Sequence, residues 1–92
     1  NSNVAVSDIS RNGNVIEIGV RNLTGRELLV VKISTTCDCT EPVLDRYYLP
    51  PLAVTHLSLR YVGSSQVESK QALLLVFSDG STSELPFSIS IS

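Results

Sequence analysis

Two cysteines and the single histidine are the residues of this 92-residue chain whose chemistry could support a reactive or metal-binding site. Cys37 and Cys39 are separated only by Asp38. In a straight strand, residues two apart face the same side with Cα atoms about 6.5–7 Å apart, at the upper limit for a disulfide. We interpret the pair either as structural, bridged only where the backbone bends, or as a thiolate site for a soft metal or redox chemistry.

The number of available ligands limits which metal such a site could hold. A structural zinc site uses four ligands, whereas this chain offers two thiols and one imidazole. Cu(I) accepts two or three soft ligands, so Cys37, Cys39 and His56 are the candidate metal ligands. The competing interpretation makes His56 an exposed surface residue, because it lies out of phase with Leu57 and Leu59 on its predicted strand.

No set of residues indicates an enzyme. The acidic residues near predicted loops are Asp38, Glu41, Asp45 and Asp79, and they are too dispersed for paired-carboxylate catalysis or a calcium site. A Ser–His–acid set cannot be assigned merely because one His occurs in a chain rich in Ser. We therefore predict a non-enzymatic protein that requires no cofactor.

Composition and charge exclude further classes of function. The net charge is -2, the pI is about 5.2 and the seven Lys and Arg residues are scattered, which argues against a nucleic-acid surface. No apolar run approaches the roughly 18 residues of a membrane span, so we expect no membrane insertion of this segment. No signal peptide is visible, and the chain contains no Met. We expect either a processed product or a fragment excised from a longer protein.

Hydrophobic residues recur with a period of two almost throughout, which predicts strands rather than helices. About seven short strands with turn signals roughly every 8–12 residues predict an all-β fold, an immunoglobulin-like antiparallel β-sandwich. We expect it to form a single domain over residues 1–92. The core should be aliphatic, because aromatic residues make up 5% of the chain and Trp is absent.

The alternation also predicts the core face and the turns. Leu28–Ile33 is apolar on both faces until Lys32, as in a central strand, and its odd-numbered residues are assigned to the core. The predicted core residues are Ile16, Ile18, Val20, Leu29, Val31, Ile33, Leu57, Leu59, Leu73, Leu75, Phe77, Phe87 and Ile89. Turns are predicted at Arg11–Asn14, Asn22–Gly25, Gly63–Gln66 and Ser78–Ser81. The segment Glu41–Ala53 contains three prolines and is expected to be an edge or a connection between sheets.

Three short motifs follow one another along the chain. An Asn-Leu-Thr-Gly turn precedes the apolar strand, a Cys-Asp-Cys-Thr segment follows it, and a Leu-Pro pair comes later. The residues that carry these motifs are Asn22, Gly25, Cys37, Asp38, Cys39, Thr40 and Pro50. Over residues 15–77 the chain resembles a family of bacterial, mostly exported, immunoglobulin-like domains of unknown function with a Cys-Gly-Cys-Thr signature. That family is related to the abnormal-spindle/hydin and major-sperm-protein type sandwiches.

The chain departs from the family pattern at two positions. Asp38 replaces the Gly of the signature, and Asp tolerates a left-handed backbone better than most residues, so we expect this turn to persist. Pro51-Leu52 replaces the Gly that follows Pro50 in the family, so we expect that turn to differ in type.

The resemblance implies a location in the periplasm, the cell envelope or outside the cell, and it implies no settled activity. We expect a structural or protein-interaction module whose edge strands bind a protein partner or neighbouring domains of a longer chain. The alternative function is Cu(I) binding or thiol redox chemistry at Cys37 and Cys39. The sequence does not predict the oligomeric state or the identity of the partner.

Overall fold

The computed structural model describes residues 3–36, 40–62 and 69–89. Regular secondary structure in these residues consists of β-strands. The strands are β1 (Val4–Asn12), β2 (Val15–Asn22), β3 (Leu28–Thr35), β4 (Thr40–Pro42), β5 (Tyr47–Leu49), β6 (Val54–Tyr61), β7 (Ser69–Phe77) and β8 (Thr82–Ile89). None of the described residues forms a helix with the length and hydrophobicity needed to span a membrane.

The strands form two four-stranded antiparallel sheets that pack face to face. Sheet A has the order β1-β2-β6-β4, and sheet B has the order β5-β3-β7-β8. Strands β1, β2 and β6 take the positions of strands A, B and E of an immunoglobulin domain, and β3, β7 and β8 take those of C, F and G. The predicted immunoglobulin-like antiparallel sandwich is therefore confirmed.

The proline-containing segment crosses from one sheet to the other, as expected. It contributes one strand to each sheet, β4 to sheet A and β5 to sheet B, and each has only three residues. These two short strands bring the described total to eight, where the sequence predicted about seven.

The core lies between the sheets and is mainly aliphatic, as the composition predicted. Ile16 and Ile18 of β2 and Leu57 and Leu59 of β6 have no exposed surface. The predicted core residues found buried are Ile16, Ile18, Val20, Ile33, Leu57, Leu59, Leu73, Leu75, Phe77 and Phe87. Ile89 is also predicted to be buried, but its side chain lies outside the described part of the structure.

The core predictions for Leu29 and Val31 are wrong. Leu29 is 44% exposed and Val31 is only half-buried, whereas Leu28 and Val30 are buried in the core. After this point the predicted phase is correct again, since Ile33 is buried. The pattern of inward and outward residues therefore changes phase within β3.

A β-bulge causes the change of phase. Val30 pairs with Phe77 and Lys32 pairs with Val76, so Val31 is an extra residue in β3 with no partner of its own in β7. One extra residue moves the following side chains to the opposite face. Leu28 and Val30, which precede the bulge, therefore lie on the same core face as Ile33, which follows it.

Two hairpins close at predicted turns. Asn12 pairs with Val15, so Gly13 and Asn14 form a two-residue loop, and Gly13 has a φ of 64°, as the first central residue of a type II′ turn requires. Gly80, with a φ of 89°, takes the left-handed position in the β7–β8 loop. The predicted turn at 63–66 lies outside the described residues.

Candidate functional site

The Cys37-Asp38-Cys39 motif lies between β3 and β4 in the chain, outside the described residues. The residue before it, Thr36, makes two hydrogen bonds to β7. Its N–H donates to the carbonyl of Ala72 at 3.1 Å, and the N–H of Ala72 donates to Thr36 Oγ1 at 2.9 Å. The described residue on this side of the motif is thus attached to sheet B.

The residue after the motif, Thr40, belongs to a buried polar group with Thr35 and Gln71, which we call the Thr40 cluster. The Thr40 hydroxyl donates to Gln71 Oε1 at 2.8 Å and lies 2.9 Å from Thr35 Oγ1. Thr40 and Gln71 are each only 6% exposed. Thr40 lies in sheet A and the other two residues lie in sheet B, so these bonds join the sheets. The Thr of the predicted motif therefore has a structural role that sequence patterns did not indicate.

His56 lies on the outer face of sheet A and is exposed, as its strand phase predicted. Its Nε2 is 3.3 Å from Asp8 Oδ2. Gly19 stands between them in the strand pairing, since it pairs with Asp8 on one side and with His56 on the other. A Cβ atom at Gly19 would collide with the Asp8 carboxylate. The missing side chain at Gly19 therefore lets the carboxylate of β1 cross β2 and reach the imidazole of β6.

The structure does not bring His56 to the residues that flank the cysteine motif. Thr40 pairs with Tyr61. Tyr61 is five residues along β6 from His56, which corresponds to about 17 Å. Within residues 3–36, 40–62 and 69–89, no group of three or more His, Cys, Asp or Glu side chains could hold a metal ion. The proposed ligand set of two cysteines and His56 involves residues outside these ranges and stays a prediction.

Asn22, the first residue of the Asn-Leu-Thr-Gly turn, is fully buried. Both polar atoms of its side-chain amide are hydrogen-bonded. Its Nδ2 donates to the carbonyls of Arg26 at 2.8 Å and Leu49 at 3.0 Å. Its Oδ1 accepts from the N–H of Thr24 at 2.9 Å and from the Thr24 hydroxyl at 2.7 Å. Leu49 belongs to sheet B, so Asn22 also joins the two sheets. Gly25 in the same turn has no positive φ, and a Cβ there would meet no atom within 4 Å.

The turn after β5 has type II geometry with Leu52 at the position that usually carries Gly. The N–H of Ala53 donates to the carbonyl of Pro50 at 3.4 Å, Pro51 is the second residue, and Leu52 has a φ of 58°. Pro at the second position and a positive φ at the third are the features of a type II turn. The expectation that this turn differs in type from the family's Pro-Gly turn stays a prediction. Leu52 adopts the left-handed conformation, which costs about 1–2 kcal/mol.

The hydrogen bonds at the end of β2 show which way its backbone groups point. The N–H of Asn22 donates to the carbonyl of Ala53 on the β6 side, and the N–H of Leu23 donates to the carbonyl of Asn3 on the β1 side. Backbone groups alternate along an antiparallel strand. Even-numbered residues of β2 therefore face β6, and odd-numbered residues face β1.

This alternation identifies the backbone groups on the outer edge of β1. The residues of β1 that pair with odd-numbered residues of β2 are Ala5, Asp8, Ser10 and Asn12. The N–H and C=O groups of Val6, Ile9 and Arg11 consequently point away from β2. The whole of Ser7–Asn12 is exposed. The sequence predicted edge strands in general, but it did not single out the edge of β1.

The other long edge strand, β8, is interrupted by Pro86. Ala72 exchanges hydrogen bonds with Thr36, so its backbone points toward β3 and away from its β8 partner, Pro86. The backbone of Pro86 therefore faces the outer edge, where proline supplies no N–H donor. The remaining edge strands, β4 and β5, have three residues each. Among the described strands, β1 offers the longest edge uninterrupted by proline.

Two exposed ionisable groups have pKa values displaced by hydrogen bonds. The hydroxyl of Tyr48 donates to Glu27 Oε2 at 2.9 Å, and this bond raises the pKa of Tyr48 above its ordinary value. The N–H and hydroxyl of Ser81 both donate to Asp79 Oδ1, which lowers the pKa of Asp79. Both hydrogen bonds lie at the surface of the protein.

Comparison with known proteins does not assign the chain to a family. The sequence matches no protein-family model and no curated protein.

Proposed function

We propose that this chain is a non-enzymatic protein-interaction module of a bacterial envelope or secreted protein, and that it binds an extended segment of its partner along β1. The observation that carries the proposal is the exposed edge Ser7–Asn12, whose outward backbone groups pair with no other described strand. The bacterial and exported origin depends on the family resemblance alone.

Addition of a strand to this edge would use backbone recognition. The outward N–H and C=O groups of Ile9 and Arg11 would bond to the partner's backbone, because an added strand continues the ladder of the sheet. Main-chain bonds supply affinity in this mode, and alternate side chains of the partner supply specificity.

A bulge limits the length of the added strand. Val6 pairs with Val20 and Asp8 pairs with Gly19, so Ser7 is an extra residue in β1. The bulge breaks the alternation of outward groups. A partner strand in register with Ile9 would therefore end near Ser7 and span about five residues, or roughly 17 Å.

Polar side chains on the outer face of sheet A contact one another in pairs. The Asp8 carboxylate contacts His56, and Glu41 Oε1 lies 3.3 Å from Arg60 Nη1. The side chains of both pairs are about half exposed, so these contacts lie at the solvent-facing surface of sheet A.

A displayed library of extended peptides, selected on the native protein, tests the proposal. Proline at Ile9 would remove an outward donor while leaving the β2 ladder intact, so we expect selected peptides to bind Ile9→Pro at least about tenfold more weakly. Ser88→Pro is the matched control, since Ser88 occupies an outward position on the β8 edge and should leave binding unchanged. Equilibrium unfolding confirms that each variant is folded.

Amide hydrogen exchange gives the site of binding. A bound peptide should slow exchange at the amides of Ile9 and Arg11, whereas Ser10 and Asn12 are already protected by the β2 ladder. Equal affinity for the Ile9→Pro variant, or new protection confined to another strand, would overturn the proposal.

A competition for Cu(I) distinguishes the alternative function, metal or redox chemistry at Cys37 and Cys39, from protein interaction. We expect the native protein and the Cys37→Ser/Cys39→Ser variant to lose Cu(I) equally to a chromogenic chelator, with and without reductant. Binding at least about tenfold tighter in the native protein would favour the metal or redox function instead. Fractionation of cells that produce the full-length protein tests the envelope or secreted location separately.

A further inference from the structure

The outer faces of the two sheets differ in chemistry along their central strands. In sheet A, the outward residues of β6 are polar, namely His56, Ser58 and Arg60. In sheet B, the outward residues of β7 are apolar, namely Ala72, Leu74 and Val76. A central strand that is apolar on both faces is typical of a sheet covered on both sides.

An open groove of about 330 Å³ lies on this outer face of sheet B, with Leu74 and Val76 at its centre. Strand pairing arranges six of the groove residues in two adjacent rows, Lys32–Val76–Thr82 and Ser34–Leu74–Glu84. Lys32 and Glu84 therefore stand at diagonally opposite corners of a patch that is apolar at its centre. Neither makes an ion pair with any other residue in the described ranges.

We propose that this groove binds a second copy of the chain, with sheet B packed against sheet B about a two-fold axis. An axis in the plane of the interface, perpendicular to the Lys32–Glu84 diagonal, places Lys32 of each copy opposite Glu84 of the other. The same rotation brings Ser34 and Thr82 close to their own counterparts. Hydroxyl groups tolerate this arrangement because each can both donate and accept a hydrogen bond.

The charge pattern selects a second copy over other occupants. A partner segment of one charge sign would be attracted at one corner of the groove and repelled at the other. A second copy meets an opposite charge at both corners and brings its own apolar centre against Leu74 and Val76. The patch is thus complementary to itself in charge, hydrogen bonding and hydrophobicity.

The size of the face sets the expected strength of association. Sheet B has three strands of about eight residues and one of three, which at a spacing of about 4.8 Å cover a face of roughly 440 Å². Two such faces bury roughly 900 Å² in total, in the range of weak, transient complexes. The dimer should accordingly be weak, with a Kd between about 10 μM and 1 mM.

Sedimentation equilibrium of the complete chain over a range of concentrations tests the inference. We expect a reversible monomer–dimer equilibrium for the native protein. Lys32→Glu or Glu84→Lys alone replaces both attractive contacts of the symmetric dimer by repulsive ones, and each should raise Kd about tenfold or more. Mixing the two variants in equal amounts should restore dimer formation, because opposite charges again meet at both corners of the heterodimer.

Control substitutions on the outer face of sheet A carry the same changes in charge. Arg21 and Glu17 are both exposed residues of β2, so Arg21→Glu and Glu17→Lys should leave Kd unchanged. Ile9→Pro should also leave it unchanged, which separates this interface from strand addition at β1. A monomer at every concentration up to about 1 mM would overturn the inference. So would a dimer insensitive to both charge reversals, or a mixture that associates no better than either variant alone.

Discussion

At the scale of single residues, Asn22 is the polar side chain whose loss should be most costly. Its amide has two donors and two acceptor positions, and all four are used in a fully buried site. Asn22→Ala should lower the free energy of unfolding by about 2–4 kcal/mol, because buried carbonyl and N–H groups lose their partners. Urea denaturation measures the change.

An exposed asparagine on β1 serves as the control. It distinguishes loss of the buried amide at Asn22 from loss of an asparagine side chain in general. Asn12→Ala, at an exposed position, should change the free energy of unfolding by less than about 0.5 kcal/mol. Asn22→Asp should destabilise as well, since a carboxylate oxygen would then face the carbonyls of Arg26 and Leu49. A loss below about 1 kcal/mol for Asn22→Ala would contradict this account.

Leu52 offers a second test at the residue scale, because the chain contains a closely matched control. Leu52 and Leu44 are both 60% exposed, and only Leu52 has a positive φ. Leu52→Gly should raise the free energy of unfolding by up to about 1 kcal/mol, since relief of left-handed strain exceeds the added entropy of the unfolded chain. Leu44→Gly should lower it by about 0.4–1 kcal/mol. Equal effects of the two substitutions in thermal or urea unfolding would refute the strain at Leu52.

At the scale of secondary-structure elements, the bulge in β3 decides which of two neighbouring leucines supports the core. Leu28 is 5% exposed, and Leu29 is 44% exposed. Leu28→Ala should cost about 2–5 kcal/mol because it leaves a cavity between the sheets. Leu29→Ala should cost less than about 1 kcal/mol. The reverse order in urea denaturation would mean that β3 keeps the uninterrupted alternation that its sequence suggests.

At the scale of the whole molecule, hydrogen bonds join the two sheets at both ends of the apolar core. Asn22 bonds across to Leu49 beside the start of β6, and the Thr40 cluster lies where β6 ends. Eight residues of β6 separate the two connections, which is about 26 Å. The two polar connections should therefore act independently.

A double-mutant cycle tests this independence. Thr40→Val should cost about 1–3 kcal/mol, because Gln71 Oε1 loses the Thr40 hydroxyl as a donor. Combined with Asn22→Ala, the losses should add within about 0.5 kcal/mol, since the sites share no partner. Thr40→Val with Thr35→Val is the contrasting pair, and its losses should not add because the two hydroxyls are 2.9 Å apart. A coupling above about 1 kcal/mol between Asn22 and Thr40 would show that the two connections are linked.

The fold class, most of the core and the sites of the described turns could be predicted from the amino-acid sequence. These features depend on local patterns, since alternation of apolar residues defines a strand face and Gly allows a left-handed turn residue. Ile16, Ile18, Leu57 and Leu59 are buried as their spacing predicted. The exposed position of His56 followed from the same alternation.

Features that depend on a neighbouring strand could not be predicted in this way. The extra residue Val31 is defined by its pairing with β7, and in a segment that is apolar on both faces nothing in the sequence marks it. The contacts of Thr40 and Asn22 reach into the opposite sheet, so no local pattern could identify their partners. The outward donors of β1 likewise depend on how the hydrogen bonds of β2 are shared between its two neighbours. Short-range spacing specifies the faces of strands, whereas register and contact between sheets arise only when distant segments pack together.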